Sequence, residues 1–146
     1  MMKTKWMRIL TIILVLVLAV SPISAMAAAP SDGSVVEPQA SNYINVTYAD
    51  TINNGGTVTV SFNVGGTGRM NSIGAEKIVI KTSSGSIVRT YNYFNNAGMM
   101  GYNTYAHGGS VTWTGGSATT KYYAVVTFKA ANATGSDTVT YITQAN

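Results

Sequence analysis

Between Thr57 and Val64 the chain alternates strictly: Val58, Val60, Phe62 and Val64 are apolar, and Thr57, Thr59, Ser61 and Asn63 between them are polar. Successive side chains of an extended chain point to opposite faces, whereas those of a helix return every 3.6 residues. The segment therefore fits a strand with one face in a core and the other in water. From Tyr43 onward the chain is rich in Thr, Val, Ile and Tyr, which suit a pleated surface, and no stretch keeps helical spacing.

Similar segments follow from the same rule. Tyr43 to Ala49 alternates on Ile44, Val46 and Tyr48, and Asn54-Gly55-Gly56 predicts a hairpin joining it to the strand at Thr57. Glu76 to Thr82 places Ile78 and Ile80 opposite Lys77 and Lys81, with Val79 on the charged side; Ser83-Ser84-Gly85-Ser86 then turns the chain into Ile87 to Phe94. Ser110 to Thr114 holds Val111 and Trp113 in register. Lys121 to Ala130 carries apolar residues on both faces, as a strand covered on both sides would, and Asp137 to Thr143 follows an Asn132-Ala133-Thr134-Gly135 turn. Seven such strands on about 100 residues predict an all-β fold, an antiparallel sandwich of the immunoglobulin or fibronectin kind. Tyr122, at the start of the sixth strand, is placed as a tyrosine corner. The Cys pair and third-strand Trp of true immunoglobulin domains are missing, and a small closed barrel is the alternative.

The amino-terminal residues do not belong to that fold. Lys3, Lys5 and Arg8 precede an apolar run from Ile9 to Val20, interrupted only by Thr11, and Ala25-Met26-Ala27 ends the segment. This is the layout of a secretory signal peptide; Ser21-Pro22 cuts the run well short of the 18 or so apolar residues a membrane span needs. Residues 1–27 are expected to be the signal, 28–41 a flexible linker rich in small and polar residues, and 42–146 a single domain. Cleavage after Ala27 leaves 119 of 146 residues, expected outside the cell and without a membrane span. The chain has no cysteine, an unusual economy for a small exported domain and one that suits a Gram-positive source.

Charge then excludes a class of partner. The precursor carries +4, but removing the signal leaves six Lys and Arg against five Asp and Glu, a net +1. The six bases are scattered singly, and nucleic-acid binding needs a clustered basic face. Catalysis is excluded on similar grounds. His107 is the sole histidine, and no acid lies between Glu76 and Asp137 to partner it. With five acids and no cysteine, neither a metal site nor a facing pair of glycosidase carboxylates is expected. No cofactor and no enzyme activity are expected. Asn45-Val46-Thr47 and Asn132-Ala133-Thr134 match the glycosylation sequon but are read as strand and turn residues.

One segment exceeds what a sandwich needs. Asn95 to Gly109 is a long connection without strand periodicity, and loops of that length tend to be functional. Met99, Met100, Tyr102, Tyr105 and His107 make it a candidate ligand-binding loop; the plainer reading has the methionines plugging an open end of the sandwich. The glycine-rich run Gly65 to Gly74 precedes no helix, so it is no phosphate loop; Met70 and Ile73 are expected to anchor a crossing between strands.

Met70-Asn71-Ser72-Ile73-Gly74-Ala75 leading to Ile78, Gly98-Met99-Met100-Gly101 with His107, and Tyr122-Tyr123-Ala124-Val125-Val126 resemble a family of small secreted proteins of unknown function from Gram-positive Firmicutes. The resemblance runs from about Tyr43 to Thr143 and implies export and source, without any activity, cofactor or catalytic residue. The function expected is that of a secreted, non-enzymatic module for binding or adhesion at the bacterial surface, its partner a protein or glycan of the cell envelope or host. A secreted antibacterial or competition factor is the alternative.

Overall fold

The computed structural model describes residues 41–146. The expected signal peptide 1–27 and, apart from Ser41, the expected linker 28–41 lie outside the described residues. Six strands follow in order: β1 (Ile44–Asn54), β2 (Thr57–Thr82), β3 (Ile87–Asn92), β4 (Met100–Trp113), β5 (Tyr122–Ala131) and β6 (Ser136–Ile142), with two 3-10 turns, Tyr93–Asn95 and Ala97–Met99, between β3 and β4. All pairings are antiparallel and belong to one sheet, in which β1, β2, β5 and β6 are successive neighbours and β3 and β4 also pair with β2.

The turns form where their residues demand them. Gly55 and Gly56 both take positive φ, 62° and 94°, between the paired Asn54 and Thr57, the requirement of a two-residue hairpin turn with the twist of its strands. Gly85, at φ 92°, closes the β2–β3 turn. Between β5 and β6 the Asn132 side chain accepts from the backbone N–H groups of Thr134 at 2.8 Å and Gly135 at 3.2 Å, so the amide itself builds the turn.

Strand β2 organises the rest. Its first half pairs with β1 on one edge and β4 on the other; its second half pairs with β5 on the first edge, and with β4 and then β3 on the second. The change of neighbour occurs at a bend. Four residues, Gly66 to Arg69, lie opposite Tyr105 alone, because Gly65 pairs with Ala106 and Met70 with Thr104. Such an irregularity bends and twists a strand, and here the sheet curls over on itself. Val58, Val60, Phe62 and Val64 from the first half then share one core with Ile78, Ile80, Val126 and Phe128. The rings of Phe62 and Phe128 meet across it with centroids 6.4 Å apart.

The seven expected segments thus map onto six strands of one sheet. Thr57 to Val64 and Glu76 to Thr82 are the two ends of β2, which the Gly65 to Gly74 run joins without leaving the sheet. Met70 and Ile73 are buried as expected, but inside a strand and not at a crossing. The expected connection Asn95 to Gly109 is mostly strand too: β4 begins at Met100, ten residues before the expected Ser110. Strand β5 lies between β2 and β6, and Tyr123 is buried on its second face alongside the core residues of the first. The Tyr122 hydroxyl accepts a hydrogen bond from the Ser117 backbone N–H at 2.9 Å, the bond a tyrosine corner makes. Its ring meets Trp113 edge-on with centroids 5.6 Å apart.

The curl is latched where β1 meets β5 and β6. Thr51 and Thr143, both buried, share a 2.7 Å hydroxyl bond. Thr143 Oγ1 also accepts from the Ala124 backbone N–H at 2.9 Å, and the Asn146 side-chain amide donates to the Thr51 carbonyl at 3.0 Å. At the other end Asp137 Oδ2 accepts from Ser41 Oγ at 3.0 Å and the Asn42 backbone N–H at 2.7 Å. Replacing Thr143 with Val keeps the shape but leaves the Thr51 hydroxyl and the Ala124 N–H without this partner. An unsatisfied buried polar group costs about 1–3 kcal/mol, so Thr143→Val is expected to lower unfolding stability by about 2–4 kcal/mol in urea titration. The double substitution with Thr51→Val is expected to cost less than the sum of the singles.

Candidate functional site

The five candidate residues, at the entrance and along the first part of β4, separate into two buried methionines, two exposed tyrosines and a half-buried histidine. Met99 and Met100 point into the protein, with 1% and 5% of their surface exposed, whereas Tyr102 and Tyr105 are 63% and 65% exposed. The methionines therefore pack, as the plugging alternative has it, and the tyrosines carry what contact surface the segment offers. Between the two tyrosines Asn103 takes φ 52°, a left-handed conformation that Asn tolerates better than most side chains. Arg69 Nε donates to the Asn103 carbonyl at 2.9 Å, tying the bend of β4 to the bend of β2. Two exposed aromatic side chains thus stand on a backbone fixed by pairing with β2 on both sides of the bend.

His107 does structural work just beyond. Its Nε2 lies 2.8 Å from the Gly98 carbonyl; a carbonyl only accepts, so Nε2 carries the proton and donates. This bond fastens the Ala97–Met99 turn to β4. The imidazole is stacked obliquely near Phe62, centroids 6.1 Å apart, and fills space that Gly101 leaves: a Cβ there would sit 2.7 Å from His107 Nδ1. Gly109 similarly leaves room for the Phe62 ring, which a Cβ would approach to 3.0 Å. Two rings thus lie over glycines of β4, Phe62 within the core and His107 half-buried at its border.

No family model, curated protein or solved structure matches the chain.

Chemistry must then be read from the geometry. Among the described residues no three His, Cys, Asp or Glu side chains gather into a metal-binding group. The Glu76 carboxylate is engaged with Lys129 Nζ at 3.1 Å, and Asp137 with Ser41 and the Asn42 backbone. His107 Nε2 is engaged with a carbonyl, so the ring is not oriented by a carboxylate through that nitrogen. A feature that periodicity does not reveal is a cleft of about 330 Å³, bordered by Tyr91 of β3, Asn96 and the Gly98–Met99 turn on one side and by Ser110, Val111 and Thr112 of β4 on the other. Ser110 and Thr112 read as ordinary outward strand positions, and nothing local to them signals that no strand lies alongside.

Proposed function

We propose that the protein is a secreted, non-enzymatic module for binding or adhesion at the surface of a Gram-positive bacterium, the contact being made by the β4 bend. The observation that carries this reading is the pair Tyr102 and Tyr105, largely exposed on a backbone that two halves of β2 hold in place. Tyrosine gives large contact area at low entropic cost and keeps a hydroxyl for hydrogen bonding, and contact residues commonly stand at irregular points of a rigid scaffold. Support for export comes from the sequence of residues 1–27. The scaffold resembles an immunoglobulin-like sandwich in its use: the halves of β2 face each other as two layers would, and the bend between them presents the contact residues. The partner fitting such a surface is a protein or glycan of the envelope or host.

Replacing Tyr102 and Tyr105 together with Ser is expected to lower retention on sedimented bacterial envelopes by about 30-fold, the equivalent of about 2 kcal/mol from central aromatic contacts. Unfolding stability is expected to stay within about 0.5 kcal/mol, as for other exposed substitutions. Unchanged retention would remove the bend from the binding surface. Met99→Ala is the contrasting variant, since truncating a buried Met costs about 2–5 kcal/mol of stability.

A further inference from the structure

The curled sheet has two seams, and only one is closed. Where β1 meets β5 and β6 it is latched by the Thr51, Thr143, Asn146 and Asp137 hydrogen bonds. On the other side β3 and β4 each pair with β2 alone among the described residues, so within these residues each keeps one edge without a neighbouring strand. These edges border the 330 Å³ cleft, and between the two strands one side-chain bond crosses it, from the Tyr91 hydroxyl to the Thr112 carbonyl at 2.6 Å.

The direction of the β4 backbone follows from the first hairpin. A two-residue turn makes Asn54 and Thr57 a bonded pair, so by alternation Thr59 and Ser61 turn their N–H and C=O groups to β1, and Val58, Val60 and Phe62 turn theirs to β4. Thr112, Ser110 and Gly108, opposite Thr59, Ser61 and Asn63, therefore direct theirs away from β2. The Tyr91 bond to the Thr112 carbonyl agrees with that direction. Among the described residues no turn, loop or cap hydrogen bond takes up the backbone of Ser110 or Gly108. Regularly spaced free donors and acceptors on a strand edge are a template for another strand. The residues bordering the cleft carry no charge, and Ser110 to Thr112 of the β4 edge line it directly.

We propose that this seam binds an extended, uncharged peptide segment of a partner protein, which adds as a strand to β4 from Gly108 to Thr112 and displaces the Tyr91 hydroxyl from the Thr112 carbonyl. The site is separate from the Tyr102/Tyr105 bend and does not depend on it. A neutral glycan would also suit an uncharged cleft, but only a peptide matches an alternating row of backbone N–H and C=O groups.

The test titrates the purified protein with the capped peptide Thr-Val-Thr-Val-Thr-Val, and with the same peptide N-methylated at every amide, while amide hydrogen exchange is followed by NMR. Saturable binding by the first peptide alone is expected. The Ser110 amide should slow in exchange by about tenfold or more, and Val111, already bonded to β2, should change little. Tyr91→Phe keeps the ring in place but frees the Thr112 carbonyl, and should tighten binding by about twofold to tenfold, the equivalent of one net hydrogen bond. Ser110→Pro, which removes an N–H on the free side only, should abolish it. No binding, or equal binding of the N-methylated peptide, overturns the proposal. So does Ser110 protection that rises with protein concentration alone, which assigns the edge to a second copy, or protection by N,N′-diacetylchitobiose without peptide, which assigns the cleft to a glycan.

Discussion

Phe128→Ala is expected to destabilise the protein by about 3–5 kcal/mol, read as a lower urea midpoint at unchanged slope. Phe128 is fully buried and meets Phe62 across the core. Its partner across the β2–β5 ladder is Ala75, its partner across the β5–β6 ladder is Val139, and Val126 and Ala130 flank it on its own face of β5. Ala75 and Ala130 are too small to refill the vacated volume, and Val126 and Val139 are held in their ladders, so the cost should fall within the range for ring deletions. Phe128→Leu, which fills most of the space, should retain the larger part of the loss. A change below about 1 kcal/mol for Phe128→Ala would mean that the two halves of β2 do not share one core.

The second large effect is expected from a single added methyl group. Gly74 pairs with Met100, and a Cβ on it would overlap the Met99 carbonyl oxygen and lie 2.8 Å from Met100 Cα. Those are backbone atoms where the Ala97–Met99 turn enters β4, so they cannot rotate aside as a side-chain tip would. Relief requires moving the start of β4 off β2. Overpacking against mobile side chains costs about 1–3 kcal/mol; Gly74→Ala should reach or exceed the upper end, with a fall in Tm of about 12 °C or more for a domain of this size. Gly68→Ala is the control, because a Cβ there meets nothing within 4 Å. It should leave Tm nearly unchanged.

Those two sites also mark where the sequence was and was not informative. Strands whose buried positions are occupied by apolar side chains were legible, as in Val58 to Val64 or Tyr122 to Ala130, because burial imposed a period of two on residue type. Turns were legible where backbone conformation selects a residue, as at Gly55-Gly56 and Asn132. The second half of β2 around Gly74, and β4 from Met100 to Gly109, were not. There Gly74, Gly101 and Gly109 leave room for the Met99 backbone, the His107 imidazole and the Phe62 ring. A position filled by a distant group leaves no apolar residue of its own to count, so β4 resembled a long loop. The same cause hid the division of the candidate site. Met99 and Met100 are adaptable contact residues on a loop but packing residues at a strand entrance, and which they are depended on the Gly74 approach. Tyr102 and Tyr105 needed no such information, since their exposure is consistent with either reading.

The 26 residues of β2 also govern how the molecule comes apart. Every pairing except β5 with β6 includes this strand, so neither half of the sheet can be removed without stripping a partner from the other. A lost β5 exposes the second half of β2, and with it the inner side of Phe62. A lost β1 takes Thr51 with it and leaves the buried Thr143 hydroxyl without that partner. The two halves of β2 are therefore expected to open together, whereas β6, paired with β5 alone, can fray first. A ligand seated on any edge of β2's neighbours would raise the stability of the whole.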